Sequence, residues 1–373
     1  MKLSHRVPII KAVGNACNLR CSYCFYNETD QRPQHIMDKE LLAGFMRQYF
    51  SLFSGELRFV WHGGEPLLAG IEFYEEVLRL QREFAKLGDN IENMIQTNAT
   101  LINDEWADFF KRQAFRVGVS IDGRRENHDR QRLDAGGKGS FDKVMAGVAT
   151  LCRHGITPGV IQTITRSSAT SIAEDMKFFA DELGISGWAL NLFMDGSSPS
   201  GSCPCEGLRD EDVDLIYGVA IAEWIKRDDA DLCLREIENI MAGVVGRRAK
   251  SCSFNGTCAN YFCLDSGGKI WPCDRLSSDP AFLLGDLRKQ NLQEVLEGEL
   301  AASHAVRSRQ LADDCVSCRW RSACNNGCTA MRDPRTNKYV YCDSRRNAFA
   351  KVEALLYGSS NTVDGPEKRG AVS

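Results

Sequence analysis

Several things are missing from this sequence, and each absence narrows its reading. No run of eighteen apolar residues occurs, so no segment is suited to cross a membrane as a helix. The first residues, MKLSHRVPIIKAVGN, have neither the apolar core nor the small-residue cleavage site of a secretory signal. Charge of one sign is scarce as well. Lys and Arg number 46 against 50 Asp and Glu, a net −4, which argues against a general nucleic-acid binder. The expectation is a cytoplasmic protein with no membrane and no nucleic acid among its partners. Between Tyr26 and Gly201, Cys152 is the only cysteine. A disulfide framework is seldom so uneven in a long chain, and a cytosolic chain has little use for one.

What is present points to metal or redox chemistry. The chain has 16 cysteines in 373 residues, nine of them from Cys252 to Cys342. Its length allows two or three domains, and 43% apolar with 26% charged residues suits a globular enzyme.

From Val7 to about Phe193 the pattern alternates between strand and helix. Apolar runs at Val7–Val13, Glu56–Trp61, Ile91–Thr97, FRVGVSI, PGVIQTIT and GWALNLF read as six strands. Helical spacing fills the gaps. Asp38 is placed to cap one helix, with Leu41, Leu42, Phe45 and Met46 on its inner face, and Asn103 to cap another. This alternation implies parallel pairing, either an open doubly wound α/β sheet or an incomplete (β/α) barrel. In both, the chemistry belongs at the C-terminal ends of the strands. Met194–Lys250 breaks the rhythm, with a helix expected from Asp210 to about Lys226. After Cys252 long periodic elements are few, so metal is expected to replace a hydrophobic core there. Arg345–Leu356 reads as a closing helix and the tail as disordered.

In the loop after the first strand, NACNLRCSYCFY spaces Cys17, Cys21 and Cys24 as C-x3-C-x2-C. Tetrahedral zinc takes four ligands in structural sites. Three thiolates suit a [4Fe–4S] cluster whose fourth iron stays open to another ligand. A zinc knuckle is the alternative.

CNLRCSYC, with Tyr23 before the last cysteine, resembles the cluster motif of radical S-adenosylmethionine enzymes. The resemblance implies a partial (β/α)6 TIM barrel that binds S-adenosylmethionine at the open iron. WHGGEPLL resembles the family's GGE motif, which implies that Gly63, Gly64, Glu65 and Pro66 hold the methionine amino group. A Gly-Gly pair permits close backbone approach to a ligand. QTNAT and VSIDG end strands where the family contacts ribose and carboxylate, so Asn98, Ser120 and Asp122 are candidates. HDRQR resembles a segment of peptide-modifying relatives, with Arg132 as a carboxylate clamp.

The C-terminal cysteines resemble the SPASM extension, a Cys-rich iron–sulfur domain that carries two further [4Fe–4S] clusters. The resemblance gives Cys252, Cys258, Cys273 and Cys328 to one and Cys315, Cys318, Cys324 and Cys342 to the other. Three clusters per chain are expected, with a pair of zinc sites as the alternative. Residues 1–200 would form the barrel, 201–250 a helical bridge, 251–345 the SPASM domain and 346–373 a closing helix and tail. Cys203 and Cys205, flanking Pro204, have no assigned role.

The family's chemistry implies a 5′-deoxyadenosyl radical that takes a hydrogen from a substrate side chain at Cβ. The auxiliary clusters would accept an electron, and an external reductant such as flavodoxin or ferredoxin would start the cycle. The substrate would be a ribosomally made precursor peptide or a protein. YNETDQ and NHDRQR favour cross-linking maturases, including cyclophane formers. SFNGTC and WPCDRL resemble anaerobic sulfatase-maturating enzymes, in which Asp274 would be the general base. Cross-linking is expected slightly ahead of formylglycine formation. An iron–sulfur electron carrier or redox sensor is the reading from another class.

Overall fold

Six strands lie side by side in their order along the chain: β1 (Val7–Lys11), β2 (Glu56–Trp61), β3 (Asn90–Thr97), β4 (Arg116–Ser120), β5 (Gly159–Ile164) and β6 (Gly187–Leu192). Every neighbouring pair among them is parallel. The computed structural model describes residues 5–24, 35–194, 206–277 and 279–358. A doubly wound sheet reverses its direction of winding at a switch point. These six strands never reverse, which is the winding of an incomplete barrel. Their C-terminal ends therefore gather on one rim.

Local chemistry explains the elements. Asp38 Oδ1 accepts the Leu41 N–H at 2.8 Å and starts the helix Lys39–Leu52. That helix buries Leu41, Leu42, Phe45, Met46, Tyr49 and Phe50. Full burial of a side chain such as Phe45 stabilises by about 1.5–3 kcal/mol. Asn103 Oδ1 accepts the Trp106 N–H at 2.9 Å and starts the helix Asp104–Arg112. In β2 the residues Leu57, Phe59 and Trp61 point inward while Glu56 and Arg58 point out, a period of two.

The sheet does not stop at six strands. A two-residue strand β7 (Cys233–Leu234) adds to β6, so the bridge expected over 201–250 is not wholly helical. On the other side β8 (Tyr261–Asp265) pairs with β1 in parallel over five residues, Val7 with Tyr261 through Lys11 with Asp265. β9 (Lys269–Trp271) and β10 (Gly285–Asp286) follow antiparallel, giving ten strands in one sheet.

The expectation that metal replaces a hydrophobic core after Cys252 needs correcting. Phe254, Phe262, Leu264, Ile270, Leu292, Val295 and Leu296 are buried and continuous with the barrel core. They escaped a search for long periodicity because they sit on short elements. The closing helix runs Cys342–Tyr357, starting at the last cysteine. Cys203, Cys205 and all of YNETDQ lie outside the described residues.

Candidate active site

The loop after β1 carries Cys17, Cys21 and Cys24, and several contacts fix it. Arg20 N–H donates to Leu133 O at 2.6 Å and Ser22 N–H to Gln131 O at 2.8 Å. Cys24 N–H donates to Cys21 O at 3.1 Å, folding the last two cysteines into one turn. Two donors address the Cys17 sulfur: the Leu19 N–H at 3.4 Å and Asn98 Nδ2 at 3.8 Å. Burial, together with the nearby Cys24 and Cys17 thiols, pushes the Cys21 thiol up to about 12. Such a group stays protonated unless a cation takes the proton's place, which is the behaviour of a metal ligand.

The GGE turn presses against this loop. Gly63 and Gly64 have φ of +85° and +56°. A Cβ on Gly64 would lie 2.1 Å from Ala16 O, and one on Gly63 would lie 2.5 Å from Lys11 Cγ. Only glycine fits both positions. Glu65 N–H donates to Ala16 O at 2.8 Å, and Pro66 opens a short buried turn, Pro66–Ala69.

The Glu65 side chain is fully buried. Its Oε1 accepts the Thr97 hydroxyl at 2.7 Å and the Leu67 N–H at 3.0 Å, while Oε2 accepts the Asn98 N–H at 2.7 Å. Burial raises its carboxyl to about 7, outweighing those three donors. A carboxylate offers about four acceptor positions, so Oε2 keeps one for a further donor. That position can accept an N–H donor or a cation.

Asp122 and Arg132 form a buried pair that the half-buried Tyr23 joins. Arg132 Nε and Nη2 donate to Asp122 Oδ2 and Oδ1 at 2.9 and 3.1 Å. Tyr23 donates to Asp122 Oδ2 at 2.6 Å, and Thr163 N–H to Oδ1 at 2.9 Å. The Arg132 guanidinium lies 5.5 Å from the centre of the Tyr23 ring. The Asp122 carboxylate, 1% exposed, thus anchors the cysteine loop through Tyr23. Ser120 Oγ accepts from Gln96 at 3.0 Å on the neighbouring strand. In HDRQR, His128 is also buried, with Nε2 3.1 Å from Ser140 Oγ and Nδ1 accepting the Asp122 N–H at 3.4 Å.

Asp274 follows Cys273 and reaches the barrel rim, where Oδ2 lies 3.4 Å from His62 Nδ1. His62 directly precedes the Gly pair, but no motif singles it out. Nearby, buried Lys11 donates to Ser277 Oγ at 3.1 Å. Neither contact is visible in one dimension, because the partners come from opposite ends of the chain.

Eight of the remaining cysteines form two groups. The Cys252 thiol is pushed up by the Cys258 thiol beside it, by burial and by the Cys328 and Cys273 thiols, which places these four together. Cys315, Cys318, Cys324 and Cys342 line one cavity with Tyr339, Arg345 and Phe349. Among the described residues no three His, Cys, Asp or Glu close on the coordination sphere of a single ion.

Comparison with known proteins agrees with this geometry. Residues 12–166 match the Radical SAM superfamily and residues 252–325 match SPASM, an iron-sulfur cluster-binding domain. Fold and cysteine groups therefore define a radical SAM/SPASM enzyme, and its domains imply [4Fe–4S] clusters and S-adenosylmethionine binding.

The cysteine-type anaerobic sulfatase-maturating enzyme of Clostridium novyi (strain NT) is 30% identical over 360 residues, covering 94% of this chain and 96% of that protein. The serine-type enzyme of Bacteroides thetaiotaomicron is 31% identical over 349 residues, 88% and 83% of the two chains. The chain belongs to the anaerobic sulfatase-maturating enzyme family. The solved structure of native anSMEcpe with bound AdoMet superimposes with a TM-score of 0.84 at 26% identity, covering 95% of this chain and 100% of that one. Streptococcus suis SuiB bound to precursor peptide SuiA shares the fold, with a TM-score of 0.65 at 15% identity over 91% and 75%.

Proposed function

We propose that this enzyme oxidises the Cβ of a cysteine or serine in a protein substrate to the aldehyde of formylglycine, as a sulfatase maturase. The observation that carries this reading is likeness to cysteine- and serine-type maturases along nearly the whole chain. When bound at Cys17, Cys21 and Cys24, a cluster with S-adenosylmethionine supplies a 5′-deoxyadenosyl radical able to take a hydrogen from an unactivated carbon. Glu65 would receive the ammonium of that cofactor, and the Gly63–Gly64 turn admits it to the backbone. Asn98 and Ser120 are proposed cofactor contacts from the same rim.

Asp274 is proposed to take the proton of the substrate thiol or hydroxyl, with His62 beside it to share the charge. The eight C-terminal cysteines would hold two electron-accepting clusters, so three cubanes or about twelve irons per chain. An external one-electron reductant would start each cycle.

The segment that favoured cross-linking, NHDRQR, has a packing role here: His128 and Arg132 are both turned inward onto Asp122. It therefore supports neither product.

The test uses reconstituted enzyme under anaerobic conditions with S-adenosylmethionine, dithionite and a peptide containing C-x-P-x-R or its serine form. A hydrazide probe should capture an aldehyde on the peptide. Asp274→Asn should cut aldehyde formation by about 10²–10⁴-fold while 5′-deoxyadenosine still appears. A peptide that loses two hydrogens and gains no carbonyl would replace this reading with cross-linking.

A further inference from the structure

One buried cation is unused by the reaction as described. Arg345 stands one turn into the helix Cys342–Tyr357 and is 2% exposed. Its Nη1 lies 3.9 Å from Cys324 Sγ and also donates to Ser253 O at 2.8 Å. Its Nη2 donates to the Tyr339 hydroxyl at 3.0 Å. The Phe254 and Tyr339 rings lie 4.0 and 4.1 Å from the guanidinium carbon. Among the described residues Arg345 forms no ion pair with a carboxylate. A desolvated charge normally needs a counter-charge or a full set of hydrogen bonds. Its three acceptors are two neutral oxygens and one sulfur, and only the sulfur becomes an anion when metal binds.

Arg332, the other buried arginine here, is different. It donates to the carbonyls of Asn326, Gln310 and Ser308 at 2.9, 3.0 and 3.0 Å and ties loops together. Of these two arginines Arg345 is the one that hydrogen-bonds a cysteine sulfur, while the Arg332 charge acts on thiols of both groups from further off, and through Ser253 Arg345 also touches the residue after Cys252. It stands between the two four-cysteine groups.

We infer that Arg345 is a tuning residue that raises the reduction potential at Cys315, Cys318, Cys324 and Cys342, making this site the preferred resting place of the electron removed from substrate. The reasoning is electrostatic. Gain of one electron adds one negative charge to an anionic site. A fixed cation at 3.9 Å behind aromatic walls, where the dielectric is low, stabilises that added charge. Hydrogen bonds to the sulfurs and net charge are established levers on cluster potential. The inference rests on the two cysteine groups holding clusters, not on which product forms. Iron analysis separates the two: too little iron in the native chain refutes the cluster reading, and full iron with no shift refutes the role of Arg345.

The experiment is an EPR-monitored redox titration of reconstituted full-length protein. A Cys17→Ala/Cys21→Ala/Cys24→Ala background silences the first site and leaves two titrations. Arg345→Gln should move one of them to lower potential by at least about 59 mV, a tenfold change in a one-electron equilibrium. Arg345→Lys, which keeps charge but withdraws the fork, should move the same titration less. The other titration should stay in place. Loss of iron from Arg345→Gln with retention in Arg345→Lys also supports the pairing of charge with thiolate. Unchanged potentials at full iron content, or loss of iron from both variants, would overturn the proposal.

Discussion

Replacing Glu65 by glutamine isolates one charge at almost constant shape. Burial holds this carboxyl near 7 instead of 4.5, a gap of roughly 3 kcal/mol at about 1.4 kcal/mol per tenfold change in acidity. An ammonium placed against the free position on Oε2 relieves that cost by drawing the pKa back down. Cofactor affinity should therefore be low where Glu65 is protonated in both states. It should rise with pH toward about 7 and level off above. Binding at pH 6 should release close to one proton from Glu65, and binding at pH 8 almost none. In Glu65→Gln the release at pH 6 should fall by close to one proton. Affinity should drop by roughly 10- to 150-fold, the worth of a charge-assisted hydrogen bond of about 1.5–3 kcal/mol. The amide must also set its NH2 against the Asn98 N–H, so a fold cost of about 1–3 kcal/mol accompanies the change. Isothermal titration calorimetry of the reconstituted enzyme, in two buffers of different ionisation enthalpy, reads affinity and proton count together. Equal proton release in both proteins, or affinities within a factor of about two of each other, would refute the assignment of Glu65 to the ammonium.

Two further substitutions test the supports of the site. Gly64→Ala puts a Cβ against Ala16 O in left-handed backbone, which alone costs about 1–2 kcal/mol; thermal unfolding and iron content should both fall, and a native-like protein would show that the turn can move. Arg132→Met leaves the Asp122 carboxylate buried without its cation and should cost about 3–5 kcal/mol in denaturant unfolding. Much of that loss should return in Arg132→Met/Asp122→Asn, and a loss below about 1 kcal/mol would mean that the pair is solvated after all.

The readable parts of the sequence were those set by local rules. Glu56–Trp61 was bounded correctly because Leu57, Phe59 and Trp61 alternate, and Asp38 and Asn103 cap helices where short polar side chains precede apolar spacing. The cysteine groups were legible because metal ligation fixes residue type and spacing together. Long-range contacts were not. The pairing of β8 with β1 follows no local signal, and Tyr261–Asp265 is hidden among cysteines and glycines. The contact of His62 with Asp274 and that of Arg345 with Cys324 arise only when distant segments meet. Asp122 at a strand end and Arg132 in HDRQR read as ligand contacts, but in the folded chain their polar tips face each other.

The pairing of β1 with β8 has a consequence for how this protein is made. Two-residue strands, β7 and β10, close the finished sheet at its margins, so little unpaired backbone is left on show. On the ribosome the situation is reversed. β1 emerges first and waits for Tyr261–Asp265, roughly 250 residues later, or about 13–50 s at 5–20 residues per second. Throughout that interval one side of the strand leading into Cys17 offers open hydrogen-bonding groups to any passing chain. Contacts of such long sequence separation also form slowly. The order of synthesis thus makes the first half of the enzyme dependent on the last third, and a chain that stops before Tyr261 keeps an adhesive edge beside its three-cysteine loop.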